Sequence, residues 1–283
     1  MFKNQLKTVI LLALLSGLLL FVGHLVGGFN GLSVMLAFSV IMNLGTYWYS
    51  DKIVLKMYGA KLVERNEAPG IHEIVDELSR RASIPKPRIY LVSSSICNAF
   101  ACGRNYKNAA VAVTSGILKV LSKEELKGVL AHELAHISNR DTLITTVAAT
   151  IATVISYAAY MAQWAAIFGG FGNRDDRGGS NILSFLILVI LTPIIASILQ
   201  LALSRSREYL ADEAGAKYCR NGHPLANALL KLDASAKMNP LKGNTTTEGL
   251  FIVNPFKVDV FSKLFSTHPP IQLRVEKLKK MRF

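Results

Sequence analysis

The chain has 283 residues, a formal net charge of +13, 51% hydrophobic residues and a mean hydropathy of +0.33. Apolar content this high exceeds that of an ordinary soluble domain and predicts membrane spans. The lysines and arginines lie beside apolar runs with no recognition motif among them, so the charge reads as a topology determinant and a contact with anionic lipid, with no nucleic-acid partner. Cys97, Cys102 and Cys219 are an odd number without C-x-x-C spacing. They argue against a disulfide framework or a cysteine zinc site and read as free thiols on the reducing side.

Lys3 and Lys7 precede an apolar run over residues 8–29, long enough for a bilayer core that takes about 20 helical residues. A signal peptide would have a shorter apolar region closed by an A-x-A-like site, which this run lacks. A second apolar run, residues 32–49, follows after Asn30 and Gly31, so residues 1–56 are predicted to form a transmembrane hairpin. Tyr47, Trp48 and Tyr49 end its second arm as interfacial aromatics, with Lys52, Lys56, Lys61 and Arg65 beyond. Basic residues outside both ends of the hairpin, and none in its turn, place both ends in the cytoplasm.

Residues 57–142 read as the first part of a soluble domain. Pro69 opens a helix on which Ile71, Ile74, Val75 and Leu78 recur with helical spacing, and Pro85 and Pro87 end it. Residues 88–93 have strand character, and residues 98–103 and 109–114 read as a β-hairpin. Ser122 and Glu125 fit a capping box, which starts a helix at Lys123. Residues 143–168 and 182–203 are again apolar and long enough to span, separated by a glycine-rich segment, residues 169–180. Their threonines and Ser156 suggest helix packing with hydroxyls bonded to backbone. Residues 143–203 therefore read as a second hairpin, and residues 204–283 as the second part of the soluble domain, with a helix ended at Asn221-Gly222 and another over residues 225–236.

The chemistry concentrates in HELAH. His132 and His136, one helical turn apart, share a face and can bind one Zn²⁺, and Glu133 beside them is placed to act as general base toward water at the ion. A polar stripe on an amphipathic helix is the competing reading of five residues alone. A catalytic zinc site takes three protein ligands, and the metzincin spacing fails because Asn139 and Thr142 stand where its glycine and third histidine belong. Glu208 is a candidate third ligand because Asp212, one turn on, could hold a histidine's second ring nitrogen. The alternative is a solvated helix face paired with Arg205, Arg207 and Lys217, and Glu213 is a weaker competitor. His72 and His223 read as surface or turn residues, while His24 lies within the first span.

Four apolar spans, HELAH before the third, SRSREYLAD after the fourth, and the segments CNAFACG, AAVAVTSGIL and STHPP resemble the HtpX-type membrane zinc metalloproteases, relatives of the CAAX prenyl endopeptidases. The resemblance covers essentially the whole chain. It implies a mainly α membrane protein with four transmembrane helices and a cytoplasmic α+β, zincin-like protease domain with a small β-sheet. It implies one Zn²⁺ held by His132, His136 and Glu208, with Glu133 as base, cleaving membrane or misfolded proteins in quality control and stress response. The setting implied is the bacterial cytoplasmic (inner) membrane, multi-pass, with the site facing the cytoplasm. Cys97 departs from the proline expected in that family and puts the local strand geometry in question.

Two further roles follow from the resemblance and from general protease chemistry. His268 is a candidate oxyanion donor with Arg274 as structural or electrostatic helper, since HPPIQLR resembles a shared segment; the alternative is a histidine that begins a proline-stiffened helix. Asn98, Ala99, Phe100 and Ala101 are a candidate edge on which a substrate strand could pair, the alternative being ordinary core sheet. Partners are membrane lipids and membrane-protein or unfolded polypeptide substrates, and an oligomer is allowed. An inactive scaffold or transport component is the rival class, and a prenyl-processing protease the rival within the class.

Overall fold

In a computed structural model of the chain, the residues described are 2–148, 150–151, 205–238, 240, 250–253 and 269–283. The elements in order are α1 (Phe2–Met57), β1 (Lys61–Leu62), α2 (Pro69–Ala82), β2 (Arg88–Val92), β3 (Ala99–Gly103), β4 (Ala109–Thr114), α3 (Ser115–Val120), α4 (Lys123–Ser138), α5 (Arg205–Cys219), α6 (His223–Met238) and α7 (Ile271–Lys280).

Residues 2–57 are helical throughout, yet the run cannot be straight. The Ser39 hydroxyl donates to Ser16 Oγ at 2.7 Å and the Asn43 amide to the same oxygen at 2.9 Å, whereas 23 residues of straight helix span about 35 Å. The chain reverses near Gly28, whose φ of +56° a side chain would strain, and Gly23 and Gly31 meet backbone to side-chain-free backbone across the turn. The reversal thus comes earlier than Asn30-Gly31, and the second arm continues past Tyr49 to Met57. Among the described residues, Gly28–Met57 is the one helix long and apolar enough to cross a membrane, and only 6% of its apolar window is buried. A core helix of that hydropathy would be covered by protein; here Val34, Ile41 and Leu44 face outward. The predicted third and fourth spans fall almost wholly outside the described residues.

The four strands run in the order β1-β2-β4-β3. β1 pairs antiparallel with β2, β2 parallel with β4, and β4 antiparallel with β3, Ala101 opposite Val111. The hairpin expected from residues 98–114 is present; β1, the parallel pairing and α3 were not foreseen. β3 and β4 are buried along their length, which explains an apolar run with little polar alternation. One face, with Ala99, Ala101, Val111 and Val113, packs on α2 and α4. The other, with Phe100, Cys102, Ala110 and Ala112, packs on Val54 and Leu55 at the end of α1. The sheet therefore joins the apolar hairpin to the helix that carries HELAH.

α4 lies at the centre of the main core. Ser122 accepts from Glu125 N while the Glu125 carboxylate accepts from Ser122 N, the capping box expected. Leu126, Val129, Leu130, Leu134 and Ile137 are buried among α2, the sheet, α5, α6 and α7. Beyond α4 the described residues 142–148 are helical, and Ile144 and Val147 pack on Leu15 of the first arm. There Thr146 and Thr150 donate to the carbonyls one turn back. The three cysteines are free thiols, and burial pushes Cys102 up to about 12 and Cys219 up to about 11. Cys97 does not disturb β3, which begins two residues later.

Candidate metal centre

Helical spacing puts His132 and His136 on the face of α4 that meets α5. Their Nε2 atoms lie 3.1 Å apart. From α5, Glu208 brings Oε2 to 3.7 Å from His132 Nε2 and Oε1 to 3.6 Å from His136 Nε2. Among the described residues these three form the group whose ligand atoms all lie within 4.8 Å of one another.

Each imidazole has a carboxylate behind it. Asp212, one turn after Glu208, sets Oδ1 3.0 Å from His132 Nδ1. Asp141 sets Oδ2 3.1 Å from His136 Nδ1. Asp141 escaped the sequence reading because its position depends on a turn: Arg140 adopts φ +58°, its N–H donates to Ile137 O, and Asp141 N–H donates to His136 O. This Schellman-type closure folds the residue back beneath the last histidine of its own helix. An acid five residues after a ligand histidine, just past a helix end, was the available signal.

The donor set fits a divalent cation. With both Nδ1 atoms facing carboxylates, the protons belong on Nδ1 and the lone pairs on Nε2. Two such lone pairs repel at 3.1 Å unless positive charge stands between them and Glu208. Burial opposes charge on His136, but Asp141, Glu208 and Glu133 outweigh it and push its pKa up to about 10. The pocket therefore attracts a positive species, and two nitrogens with one carboxylate suit zinc.

Glu133 is buried beside the pair, and Ala101 N–H of β3 donates to its Oε2 at 2.8 Å. Burial raises its pKa, opposed by the neighbouring histidines. A carboxylate destabilised as an anion is suited to accept a proton.

Arg274, fully buried on α7, grips Asp212 in a two-pronged pair at 2.7 and 2.8 Å. Its Nη1 also donates to Ile252 O at 3.2 Å and stands 3.5 Å from Glu208. Burial works against the ionised Asp212, yet Arg274 and His132 hold its pKa below the usual carboxylate range. Arg274 thus fixes the carboxylate that fixes His132. His268 lies outside the described residues.

The four residues proposed as a substrate edge divide by side. β3 is an edge strand, but Asn98 and Phe100 face inward. The Asn98 amide donates to Leu250 O at 3.0 Å and accepts from Ile252 N at 3.2 Å, and Phe100 packs against Tyr58. Both side chains support the core. Ala99 and Ala101 lie on the alternate positions whose backbone points away from β4. His72 is also corrected: it is buried, with Nε2 2.9 Å from Val63 O and Nδ1 3.0 Å from Lys86 Nζ. Arg207, read as part of a solvated face, is buried, and Glu213 stays outside the site in an exposed pair with Lys217.

The family profile described as Peptidase family M48 matches residues 65–282. The chain belongs to that family. A "Protease HtpX homolog" from Persephonella marina is 52% identical over 282 residues, covering 98% of this chain and 97% of the relative. Another of the same description from Pyrococcus furiosus is 48% identical over 276 residues, covering 97% and 95%. The crystal structure of S. mikatae Ste24p shares the fold at a TM-score of 0.51 and 18% identity, covering 98% of this chain and 66% of that one. The M48 chain is thus an HtpX-type protease, a peptide hydrolase of the metallopeptidase class. Its apolar N-terminal hairpin is consistent with membrane association.

Proposed function

We propose that the protein is a zinc-dependent endopeptidase of the cytoplasmic membrane that hydrolyses membrane or misfolded proteins at the cytoplasmic face, in quality control and stress response. The observation that carries the chemistry is the convergence of His132 Nε2, His136 Nε2 and Glu208 on one point with Glu133 beside them. These three residues would hold the ion. When bound, Zn²⁺ supplies Lewis acidity, making water a nucleophile near neutral pH and polarising the scissile carbonyl.

Glu133 takes the proton from the attacking water and returns it to the leaving amine. The Ala101 N–H holds the carboxylate in place. Asp212 and Asp141 hold the imidazole protons on Nδ1, and Arg274 keeps Asp212 ionised and aimed. His268 is proposed as oxyanion donor on the strength of HPPIQLR alone. A substrate strand would lie along β3 at Ala99 and Ala101. In an antiparallel ladder a residue's N–H and C=O point to the same side, so the Ala101 carbonyl points away from β4 on the same side as the amide that Glu133 already occupies.

The test is bound zinc per chain in the wild type, Glu133→Gln and Glu208→Ala, purified in one detergent, with peptide hydrolysis alongside. Near-stoichiometric zinc in the first two, a large loss in folded Glu208→Ala, and turnover in the wild type alone are expected. Equal zinc in all three would move the third ligand elsewhere, and hydrolysis by Glu133→Gln would remove Glu133 from its role.

A further inference from the structure

At the end of the second arm of α1, away from the metal centre, a cavity of about 500 Å³ opens between the helix and the sheet. Its size lies in the range of small-ligand sites. The helix contributes Trp48, Asp51 and Lys52, which share a face by their i, i+3, i+4 spacing. Arg88 enters from the start of β2, and Arg104 and Asn108 from the connection between β3 and β4.

Three cations face one carboxylate, and that carboxylate is engaged: Arg88 holds Asp51 at 3.0 Å. Among the described residues, no carboxylate pairs with Lys52 or Arg104. Both lie over aromatic rings instead, Arg104 4.6 Å from the centre of Trp48 and Lys52 5.3 Å from that of Tyr49. A guanidinium held over an aromatic face by cation–π attraction keeps its N–H donors, which can bind phosphate in two-pronged fashion.

The cavity's level on the helix selects the source of that phosphate. Below it, Val34, Ile41 and Leu44 are exposed along the apolar arm, and Tyr47, Trp48 and Tyr49 are exposed at its rim. Aromatic side chains at the end of an apolar helix mark the depth of lipid headgroups, and basic pockets at that depth on the cytoplasmic side bind anionic ones. We propose that this cavity is a binding site for the phosphodiester headgroup of an anionic phospholipid, with Lys52 and Arg104 as the phosphate ligands and Trp48 as the platform that orders Arg104. The proposal rests on the membrane reading above. It places a lipid at the junction where Val54 and Leu55 of the same helix meet the sheet that bears β3.

The test uses the full chain, zinc-loaded and carrying Glu133→Gln to prevent self-cleavage. Flotation with phosphatidylcholine vesicles tests the membrane reading alone. Native mass spectrometry from detergent then counts phosphatidylglycerol and phosphatidylcholine retained by the wild type, the double variant Lys52→Gln/Arg104→Gln, the charge-preserving Lys52→Arg/Arg104→Lys, and a control, Lys3→Gln/Lys7→Gln. Preferential retention of phosphatidylglycerol by the wild type and control, a roughly tenfold or greater loss in the Gln double variant, and partial retention in the charge-preserving variant are expected, with zinc content unchanged. Should the double variant fail to fold, Lys52→Gln, at an exposed position, carries the test with a loss of several-fold. Equal retention of the two lipids, unchanged retention in the Gln variants, or binding of inorganic phosphate without phosphatidylglycerol preference would overturn the proposal; failure of flotation would overturn the membrane reading beneath it.

Discussion

An imidazole is a good metal ligand only when its second nitrogen is protonated and that proton is held. Here two carboxylates from different places do this work: Asp212 from α5 and Asp141 from the turn after α4. Asp141→Asn and Asp212→Asn are expected to lower zinc affinity about 10–100-fold while leaving the three ligands in place. Competition against a chromophoric chelator reads this directly. The two variants differ in a second respect: Asp212→Asn also leaves Arg274 short of its partner, so it should lose thermal stability where Asp141→Asn loses less. Unchanged zinc affinity in both would show that the carboxylates only pack. HELAH was legible in the sequence because helical periodicity relates its residues, and Glu208 with Asp212 was a carboxylate pair at helical spacing whose assignment to the metal came from the family resemblance. Asp141 was not, because a left-handed residue at Arg140 decides where it points.

The site spans two helices whose separation is set by glycine. A side-chain carbon added at Gly215 of α5 would stand 2.9 Å from His132 N and 3.0 Å from Ala131 C, all backbone atoms that cannot yield. The two helices approach this closely because Gly215 has no Cβ. Gly215→Ala must therefore push α5 from α4, carrying Glu208 and Asp212 away from the histidines. Zinc content should fall along with a stability loss of about 1–3 kcal/mol. Gly128→Ala is the comparison, since its added carbon, one turn before His132, would meet Leu225 N of α6 at 2.6 Å and so press on α6 instead of on α5. It should cost similar stability and keep its zinc. If zinc is lost equally in both folded variants, the spacing of α4 and α5 is not what places the carboxylate. β3 shows the same dependence on context: its composition allowed either an exposed edge or core, and burial by α1 on one face and α4 on the other settled it as both an edge in order and core in environment.

For the molecule as a whole, the helices and sheet beyond the apolar hairpin are held at their periphery by carboxylates paired with lysine and arginine. Burial acts against Asp76 and Glu125, but Lys86 and Arg65 around Asp76, and Lys231 with Ser122 around Glu125, bring both below the ordinary range. Lys127, with Arg81, does so for Glu77. A carboxylate whose folded pKa lies below its unfolded value stabilises above the unfolded value, about 4, and loses that contribution as pH falls through the folded one. Melting temperature should accordingly hold between pH 7 and 5 and fall below about 4, and Glu77→Gln should flatten the fall. A profile unchanged by that substitution would assign acid sensitivity elsewhere.

What the sequence by itself determined was everything carried by local periodicity and chain length: an apolar hairpin at the amino terminus, a capped helix with two histidines and a glutamate, and a later helix with two carboxylates one turn apart. Those features depend on residues within a few positions of one another, and a helix enforces their geometry unaided. Tertiary structure alone decided that α5 lies against α4 closely enough to bring Glu208 to the histidines, that Arg274 is buried against Asp212 from 62 positions away, that β2 and β4 run parallel, and that Trp48, Arg88 and Arg104 line one cavity. Each of these is a contact between segments distant in the chain, fixed by which apolar faces bury together and by which glycines permit approach, and no local pattern encodes that choice.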